Sequence, residues 1–250
     1  MSLVTQEERS NGVVILTLDR PRANAFSPEL VADLSDALAA CTDAWAVVFA
    51  SSSPKIFSAG WDLTIVSALS RPDMARFLAA YTDLIRRIFT NERPVIAAIS
   101  GHAIAGGLIF AAAADERIAA EGEGGLGLSE VALAVPIPRP LYEIFRYLLG
   151  DRGAERLAAT GENLPVDRAA AIGLIDDIVA PDELLDRSVE RAYVLGERPR
   201  AAHAEIKRRG RADSIRRFDA SRADDPFLDF WFEPAARERT ASLVEKLRSR

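Results

Sequence analysis

Cysteine and histidine are scarce in this chain. Its 250 residues include one cysteine, Cys41, and two histidines, His102 and His203. A single cysteine excludes an intrachain disulfide framework and fits a reducing compartment. Because thiolate and imidazole ligands are so few, we expect no zinc site of the usual type.

An excess of positive charge is also missing. Lysine and arginine number 31 against 37 aspartates and glutamates, which gives a net charge of -6. This balance argues against nucleic acid or an anionic membrane as a partner. The one basic stretch, KRRGRADSIRR at 207–217, favours a solvated helix face, with contact to a phosphate-bearing ligand as the alternative.

Several motifs for cofactors and nucleophiles are absent. The chain contains neither G-x-x-x-x-G-K-[ST] nor a G-x-G-x-x-G that follows a strand. The glycine-rich loops that bind nucleoside triphosphates or dinucleotides are therefore not expected. The nucleophile elbow G-x-S-x-G is missing as well. We therefore expect an activity that needs no bound cofactor.

Targeting signals are not evident either. The first ten residues, MSLVTQEERS, lack an apolar segment with a cleavage site, and the last three are not Ser-Lys-Leu. Only three lysines accompany 28 arginines, a bias typical of GC-rich bacterial genomes. We expect a bacterial, cytoplasmic protein.

Charge is absent from one long segment, VIAAISGHAIAGGLIFAAAA at 95–114. Twenty uncharged residues could span a membrane. However, no aromatic belt or basic flank borders the segment and no second one exists. The pattern favours a buried strand (VIAAIS), a turn at Gly101 and His102, and a helix rich in small residues.

The rest of the chain alternates between predicted strands and helices. Strands are predicted at 12–19, 46–51 and 174–179, and helices from Ser27 and over 73–90 and 151–160. Three helical stretches follow Pro181, with breaks near 196–199 and 224–226. The sequence therefore predicts an α/β core at 1–196 and a helical C-terminal segment at 197–250.

Two glycine turns and one glutamate could carry chemistry. Gly60 permits a sharp turn that presents the Trp61 amide, and the amides around Gly106 open a predicted helix without acceptors. Two such amides, if they converge, form an oxyanion hole. Glu130 lies in an apolar stretch, where burial would raise its pKa toward that of a general base. A capping or salt-bridged structural role is the alternative for Glu130.

These segments, in this order, resemble the crotonase (enoyl-CoA hydratase/isomerase) superfamily. The motifs that carry the resemblance are ANAFSPEL (23–30), FSAGWDL (57–63), PVIAAISGHAIAGG (94–107), GLSE (127–130) and GDRGAERLAATGENLPVDRAAAIGLIDDIVAPDEL (150–184). The resemblance implies an α/β fold, the crotonase (ClpP-like) spiral of ββα units. It also implies homotrimers or dimers of trimers, in which the C-terminal segment serves oligomerisation and covers the site.

The resemblance further implies an acyl-CoA thioester as the substrate. The amides of Trp61 and Gly106 would hold the thioester oxygen, and Glu130 would be the catalytic base. The implied acyl pocket is lined by His102, Ile109 and Pro138. The implied CoA-binding residues lie in two loops: Arg22, Ala23, Ala25, Ser58, Ala59, Gly60, Asp62 and Leu63.

Departures from the family pattern favour one reaction. Hydratases of the family use two glutamates, and this chain has Ile109 at the first position and Glu130 at the second. Gly-Leu-Ser-Glu with Pro138 eight residues after Glu130 is similar to the 3-enoyl-CoA to 2-enoyl-CoA isomerases. Two alternatives remain: a hydratase or another enolate reaction with a further acid (Glu116, Glu121 or Glu123), and a silent acyl-CoA-binding protein, because Trp61 is bulky.

Overall fold

The protein, seen in a computed structural model that describes residues 2–21 and 23–249, is a mixed α/β structure. Its strands are β1 (Val4–Glu8), β2 (Val13–Leu18), β3 (Ala46–Ser51), β4 (Ile56–Ser58), β5 (Val95–Ile99), β6 (His102–Ile104), β7 (Glu116–Ala120), β8 (Gly125–Gly127), β9 (Asn163–Pro165) and β10 (Asp177–Val179). Its helices are α1 (Pro28–Ala40), α2 (Leu63–Val66), α3 (Arg71–Phe89), α4 (Gly106–Ala112), α5 (Arg139–Thr160), α6 (Val166–Ala171), α7 (Leu184–Gly196), α8 (Arg200–Ala220), α9 (Phe227–Phe232) and α10 (Pro234–Arg248). A 3₁₀ turn covers Glu130–Leu133.

The strands form two sheets. The larger sheet has the order β1-β2-β3-β5-β7-β10 and is parallel except for the β1–β2 pair. The smaller sheet has the order β4-β6-β8-β9, in which β4, β6 and β8 run parallel. Strands β2, β3 and β5 are buried almost throughout, as expected for the interior of a parallel sheet.

One supersecondary unit recurs three times along the chain. In each unit the first strand (β3, β5 or β7) joins the larger sheet, the second (β4, β6 or β8) joins the smaller sheet, and helical structure follows. The smaller sheet is therefore built from the second strands of successive units. Its strand ends bring together loops that are far apart in the sequence.

The uncharged segment 95–114 is divided between a strand and a helix, as the sequence predicts. Strand β5 is fully buried between β3 and β7, and every residue of α4 is buried. Among the described residues, no helix is long and apolar enough to cross a membrane. The lack of charge reflects burial in the core.

The local signals for helix starts agree with the structure at α1. The Ser27 hydroxyl accepts a hydrogen bond from the Leu30 amide, and Pro28 occupies the first helical position. Helix α3 begins at Arg71, two residues before the predicted start. The Ser70 hydroxyl accepts a hydrogen bond from the Asp73 amide and so caps the helix at this point.

Four predicted elements need correction. His102 is the first residue of β6 and not part of a turn, because β6 pairs with β4 and β8.

The helix predicted at 151–160 begins at Arg139 and continues through a kink at Gly150, where φ is 69°. The strand predicted at 174–179 is confined to β10, and the last helical stretch is two helices, α9 and α10, separated at Glu233.

Candidate active site

The three candidate segments follow the ends of three neighbouring parallel strands. Ser58 ends β4, Ile104 ends β6 and Gly127 ends β8. The residues that come next along the chain include Trp61, Gly106 and Glu130. Because carboxyl ends of parallel strands meet at one edge of a sheet, these residues gather there, where open α/β sheets commonly bind ligands.

The Trp61 amide is free for a ligand. An isolated parallel bridge joins Phe26 to Trp61: the Phe26 amide donates to the Gly60 carbonyl at 2.7 Å, and the Asp62 amide donates to the Phe26 carbonyl at 2.9 Å. In this pattern the intervening Trp61 N–H points away from Phe26. It has no acceptor in the described part of the chain.

The Gly106 amide is free as well. Ala105 adopts φ 49° and ψ -122°, an unusual conformation for a residue with a side chain. Gly106 follows as the first residue of α4, and its amide finds no acceptor among residues 2–21 and 23–249. The two turns approach closely, since a methyl group on Gly60 would lie 3.2 Å from the Gly106 nitrogen.

The Trp61 indole lies on Gly106. A Cβ atom built on Gly106 would lie 2.8 Å from Cδ1 and 2.9 Å from Nε1 of Trp61. Any residue larger than glycine would therefore collide with the ring. The indole also meets four aromatic rings edge-on at centroid distances of 5.2 to 6.2 Å: Phe77, Tyr81, Phe227 and Trp231.

Glu130 begins the 3₁₀ turn after β8, and one oxygen of its carboxylate is unpaired. Its Oε2 atom is buried and has no hydrogen-bond partner in the described structure. Burial raises the pKa of Glu130 to about 7, although the amide of the same residue opposes the shift. The direction of this shift agrees with the rise that the sequence predicts, and no cation among the described residues pairs with Oε2.

Tyr81 connects Glu130 to the glycine turn. The Tyr81 hydroxyl donates a hydrogen bond to the Gly106 carbonyl. The pKa of Tyr81 is raised well above its ordinary value by burial and, to a smaller extent, by the negative charge of Glu130. The Glu130 carboxylate thus lies within electrostatic range of the side chain that is hydrogen-bonded to Gly106.

Hydrogen bonds join the two loops predicted to bind CoA, around residues 23–25 and 58–63. The Ala59 amide donates to the Ala23 carbonyl at 3.0 Å, and the Ser58 hydroxyl donates to the Asn24 carbonyl at 2.8 Å. Arg20 and Asp62 form a shielded ion pair at 2.6 Å. The side chains of Ser58 and Asp62 thus hold the loops in place.

The other predicted CoA-binding positions differ in accessibility. Ala59 is exposed, Ala23 and Leu63 are half-buried, and Ala25 and Gly60 are buried. Arg22 lies outside the described residues. Accessible positions therefore remain along these two hydrogen-bonded loops for contact with a ligand.

The predicted acyl-pocket residues differ in burial and position. Ile109, on α4, and Pro138, just before α5, are buried. His102 is exposed at the amino end of β6, where its Nδ1 accepts a hydrogen bond from the Gly125 amide at 2.9 Å. It therefore lies at the edge of the smaller sheet opposite to the free amides.

The three alternative acids are also separate from the free amides. Glu121 and Glu123 are exposed in the loop that precedes β8, at the amino edge of the smaller sheet. Glu116 begins β7 in the larger sheet and forms an ion pair with Arg191 at 2.6 Å. Glu130 is the candidate acid that follows the carboxyl end of a strand of the smaller sheet.

Sequence reasoning missed several residues that build the site. Tyr81 was recognisable only as part of the apolar stripe of α3, and Asn24 only as part of a family motif. Asn24 lies in a left-handed conformation, with φ 50°, and its amide group donates to Ser51 and to the Phe57 carbonyl. Asparagine tolerates this conformation better than most residues, which is the local signal that could have identified it.

Comparisons with known proteins identify relatives of this chain. A family model described as enoyl-CoA hydratase/isomerase matches residues 8–229. Crotonyl-CoA hydratase of Syntrophomonas wolfei is 33% identical over 71% of this chain and 70% of its own length. Mitochondrial enoyl-CoA delta isomerase 1 of Rattus norvegicus is 26% identical over 85% of this chain and 76% of its own.

A solved structure extends the similarity to the full fold. The human mitochondrial delta3-delta2-enoyl-CoA isomerase superposes with a TM-score of 0.92 at 25% identity, over 99% of this chain and 98% of that chain. The repeated two-strand units followed by helices are thus the spiral of the crotonase fold. The chain belongs to the enoyl-CoA hydratase/isomerase family.

Proposed function

We propose that this protein is a 3-enoyl-CoA to 2-enoyl-CoA isomerase with Glu130 as its single acid–base group. One observation carries the proposal: an unpaired, buried carboxylate oxygen of Glu130 follows the same carboxyl edge of the smaller sheet as two unpaired amides, Trp61 and Gly106. A buried carboxylate at one sheet edge with two free N–H donors suits removal of a proton next to a carbonyl group.

The proposed reaction moves one proton between two carbons. The Glu130 carboxylate removes a proton from C2 of the 3-enoyl thioester, and the resulting dienolate places negative charge on the thioester oxygen. The amides of Trp61 and Gly106 hold that oxygen. The protonated Glu130 then returns the proton to C4, so the double bond moves from C3–C4 to C2–C3 and no atom is gained or lost.

The surroundings of Glu130 support isomerisation over water addition. Water addition in this family is expected to need a second carboxylate at position 109, and Ile109 is aliphatic and buried. Apolar walls also limit competing proton exchange with water. Names of both hydratases and isomerases occur among the relatives, so this proposal depends on the residues of this site.

The substrate class follows from the family and from the loops. The CoA part of an acyl-CoA thioester would extend from the free amides along the two hydrogen-bonded loops, past Ala59 and Leu63. The proposed reaction requires no metal ion or organic cofactor, since the thioester itself stabilises the carbanion as an enolate.

Glu130→Gln is the direct test of the base. The amide cannot accept the C2 proton, so we expect isomerisation of 3-hexenoyl-CoA to fall by at least about 10²-fold, the lower range for loss of a general base. Binding of hexanoyl-CoA, measured by calorimetry, should stay within a few-fold of wild type. Loss of binding, or turnover comparable to wild type, would contradict the assignment.

Glu123→Gln is the matched control. It makes the same chemical change at an exposed glutamate on the amino edge of the smaller sheet. We expect wild-type turnover. If Glu123→Gln abolished turnover and Glu130→Gln did not, the alternative with a different acid would replace the proposal.

A further inference from the structure

Trp61 lies at the front of an aromatic cluster that consists of Trp61, Phe77, Tyr81, Phe227 and Trp231. The four rings that surround Trp61 are nearly inaccessible, with exposed fractions of 0 to 3%, whereas Trp61 is partly exposed. Trp61 is therefore the residue of the cluster that borders the protein surface. Behind it the space is filled with packed rings.

The cluster ties the site to two distant elements. Phe77 and Tyr81 come from α3, and Phe227 and Trp231 come from α9 near the C-terminus. Phe227 stacks on Trp231 at 5.9 Å, and Phe77 stacks on Tyr81 at 6.3 Å. Interiors packed in this way do not open for a ligand without moving several side chains together.

Trp61 lies next to both free amides, so the aromatic cluster borders the place where a thioester would bind. The residue supplies one amide with its backbone, and its indole covers Gly106, which supplies the other. A group bound between these amides therefore has the ring within van der Waals reach. An acyl chain directed from the thioester toward the ring would meet the indole after few carbons.

Packing alone holds the two indoles. Neither Nε1 of Trp61 nor Nε1 of Trp231 has a hydrogen-bond partner among the described residues, and both atoms are buried. The size of the ring at position 61, and not a polar contact, thus determines how far the pocket extends.

We propose that the Trp61 indole closes the acyl pocket and restricts the protein to short acyl chains. The inference rests on the proposed acyl-CoA site, and it assigns the chain-length limit to one side chain. In this account the buried rings of α3 and α9 support Trp61 from behind, so that the wall does not yield to a longer chain.

The test measures binding, and it is therefore independent of isomerisation. Calorimetry with saturated butyryl-, hexanoyl-, decanoyl- and dodecanoyl-CoA gives dissociation constants that need no turnover. In an open apolar pocket each further methylene strengthens binding about fourfold. For wild type we expect no gain in affinity from hexanoyl- to decanoyl-CoA.

Trp61→Leu should remove the limit while keeping the backbone amide. We expect its affinity for decanoyl-CoA relative to butyryl-CoA to rise at least about tenfold, because several methylenes gain apolar surroundings. Trp45→Leu is the control: Trp45 is 50% exposed and stacks on Tyr193 of α7, away from the cluster. It should leave the wild-type ratio unchanged.

Two results would overturn the inference. One is wild-type affinity that keeps rising from hexanoyl- to dodecanoyl-CoA, which can be measured even if the variant does not fold. The other is a Trp61→Leu variant, folded by circular dichroism, whose ratio equals that of wild type. Failure of the proposed isomerisation is a separate outcome, because a protein that binds only short chains without turnover still supports the chain-length limit.

Discussion

At the scale of single residues, the proposed chemistry depends on Glu130. The Oε2 atom of its carboxylate is buried without a partner among the described residues, and burial raises its pKa to about 7. A carboxylate with an ordinary pKa would be a weak base toward a carbon acid, whereas one near 7 can both accept and return a proton at neutral pH. The apolar residues around position 130 thus determine its reactivity.

The pH dependence of activity should report this pKa. The base form of Glu130 is the active form, so kcat/KM for a 3-enoyl-CoA should rise about tenfold per pH unit below pH 7 and level off above it. Initial rates between pH 5 and 9 provide the measurement. A profile that is flat across this range, or that falls as the pH rises, would show that Glu130 is not the titrating base.

The sequence predicted Glu130 and its raised pKa because the residues around it are apolar. It did not predict Tyr81 as part of the site, since a tyrosine at helical spacing on α3 has the same pattern as a packing residue. Only the fold brings its hydroxyl to the Gly106 carbonyl. Contacts between residues 25 positions apart leave no local signal.

At the scale of elements, the turn from β6 into α4 forms one half of the proposed oxyanion hole. Ala105 there has a positive φ, and Gly106 accommodates the Trp61 ring where a Cβ would otherwise lie. Such conformations persist where surrounding structure enforces them, and they concentrate at functional sites. The turn and the ring of Trp61 therefore depend on each other.

Gly106→Ala should disrupt both amides at once. The added methyl group would meet Cδ1 of Trp61 at 2.8 Å and the Tyr81 hydroxyl at 3.3 Å, so the indole or the turn must move. We expect kcat to fall by about 10²- to 10³-fold, as after loss of one oxyanion donor elsewhere. Steady-state kinetics on a 3-enoyl-CoA is the measurement.

Gly210→Ala provides the comparison. Gly210 lies inside α8 with no atom within 4 Å of the added methyl group. We expect unchanged kcat and a free energy of unfolding higher by about 0.5 to 1 kcal/mol, because alanine favours helices. If Gly106→Ala behaved like Gly210→Ala, the turn would not carry the catalytic amide.

Among the elements, the sequence predicted the strand and helix of segment 95–114 but not β6. Hydrophobic runs mark β5 and α4 directly. Strand β6 has only three residues, and its assignment depends on pairing with β4 and β8. Pairing between distant segments overrides local preference, so the glycine and histidine at its start resembled a turn.

At the scale of the whole molecule, the C-terminal helices are joined to the core by buried charges and aromatic rings. Lys207 and Arg211 of α8 turn inward and form ion pairs with Asp115 at 2.8 and 2.9 Å. The remaining arginines of the 207–217 stretch are mostly exposed, as predicted for a solvated face. Burial of two cations against one aspartate was not predicted, since Asp115 is about 90 residues distant.

Helix α9 also packs against the candidate site, because its Phe227 and Trp231 contact the Trp61 ring. The sequence predicted a covering role for the C-terminal segment from family resemblance alone. The trimeric or hexameric assembly and the cytoplasmic location stay predictions. Within one chain, α9 already connects the far C-terminal region to the Trp61 ring, which lies against Gly106.

The product formed from two isomeric substrates tests the central claim most directly. The protein is incubated separately with 3-hexenoyl-CoA and 2-hexenoyl-CoA, and products are separated by chromatography and identified by mass. The account predicts that 3-hexenoyl-CoA is converted to 2-hexenoyl-CoA of unchanged mass. Accumulation of 3-hydroxyhexanoyl-CoA as the main product from 2-hexenoyl-CoA, or no change in either substrate, would contradict it.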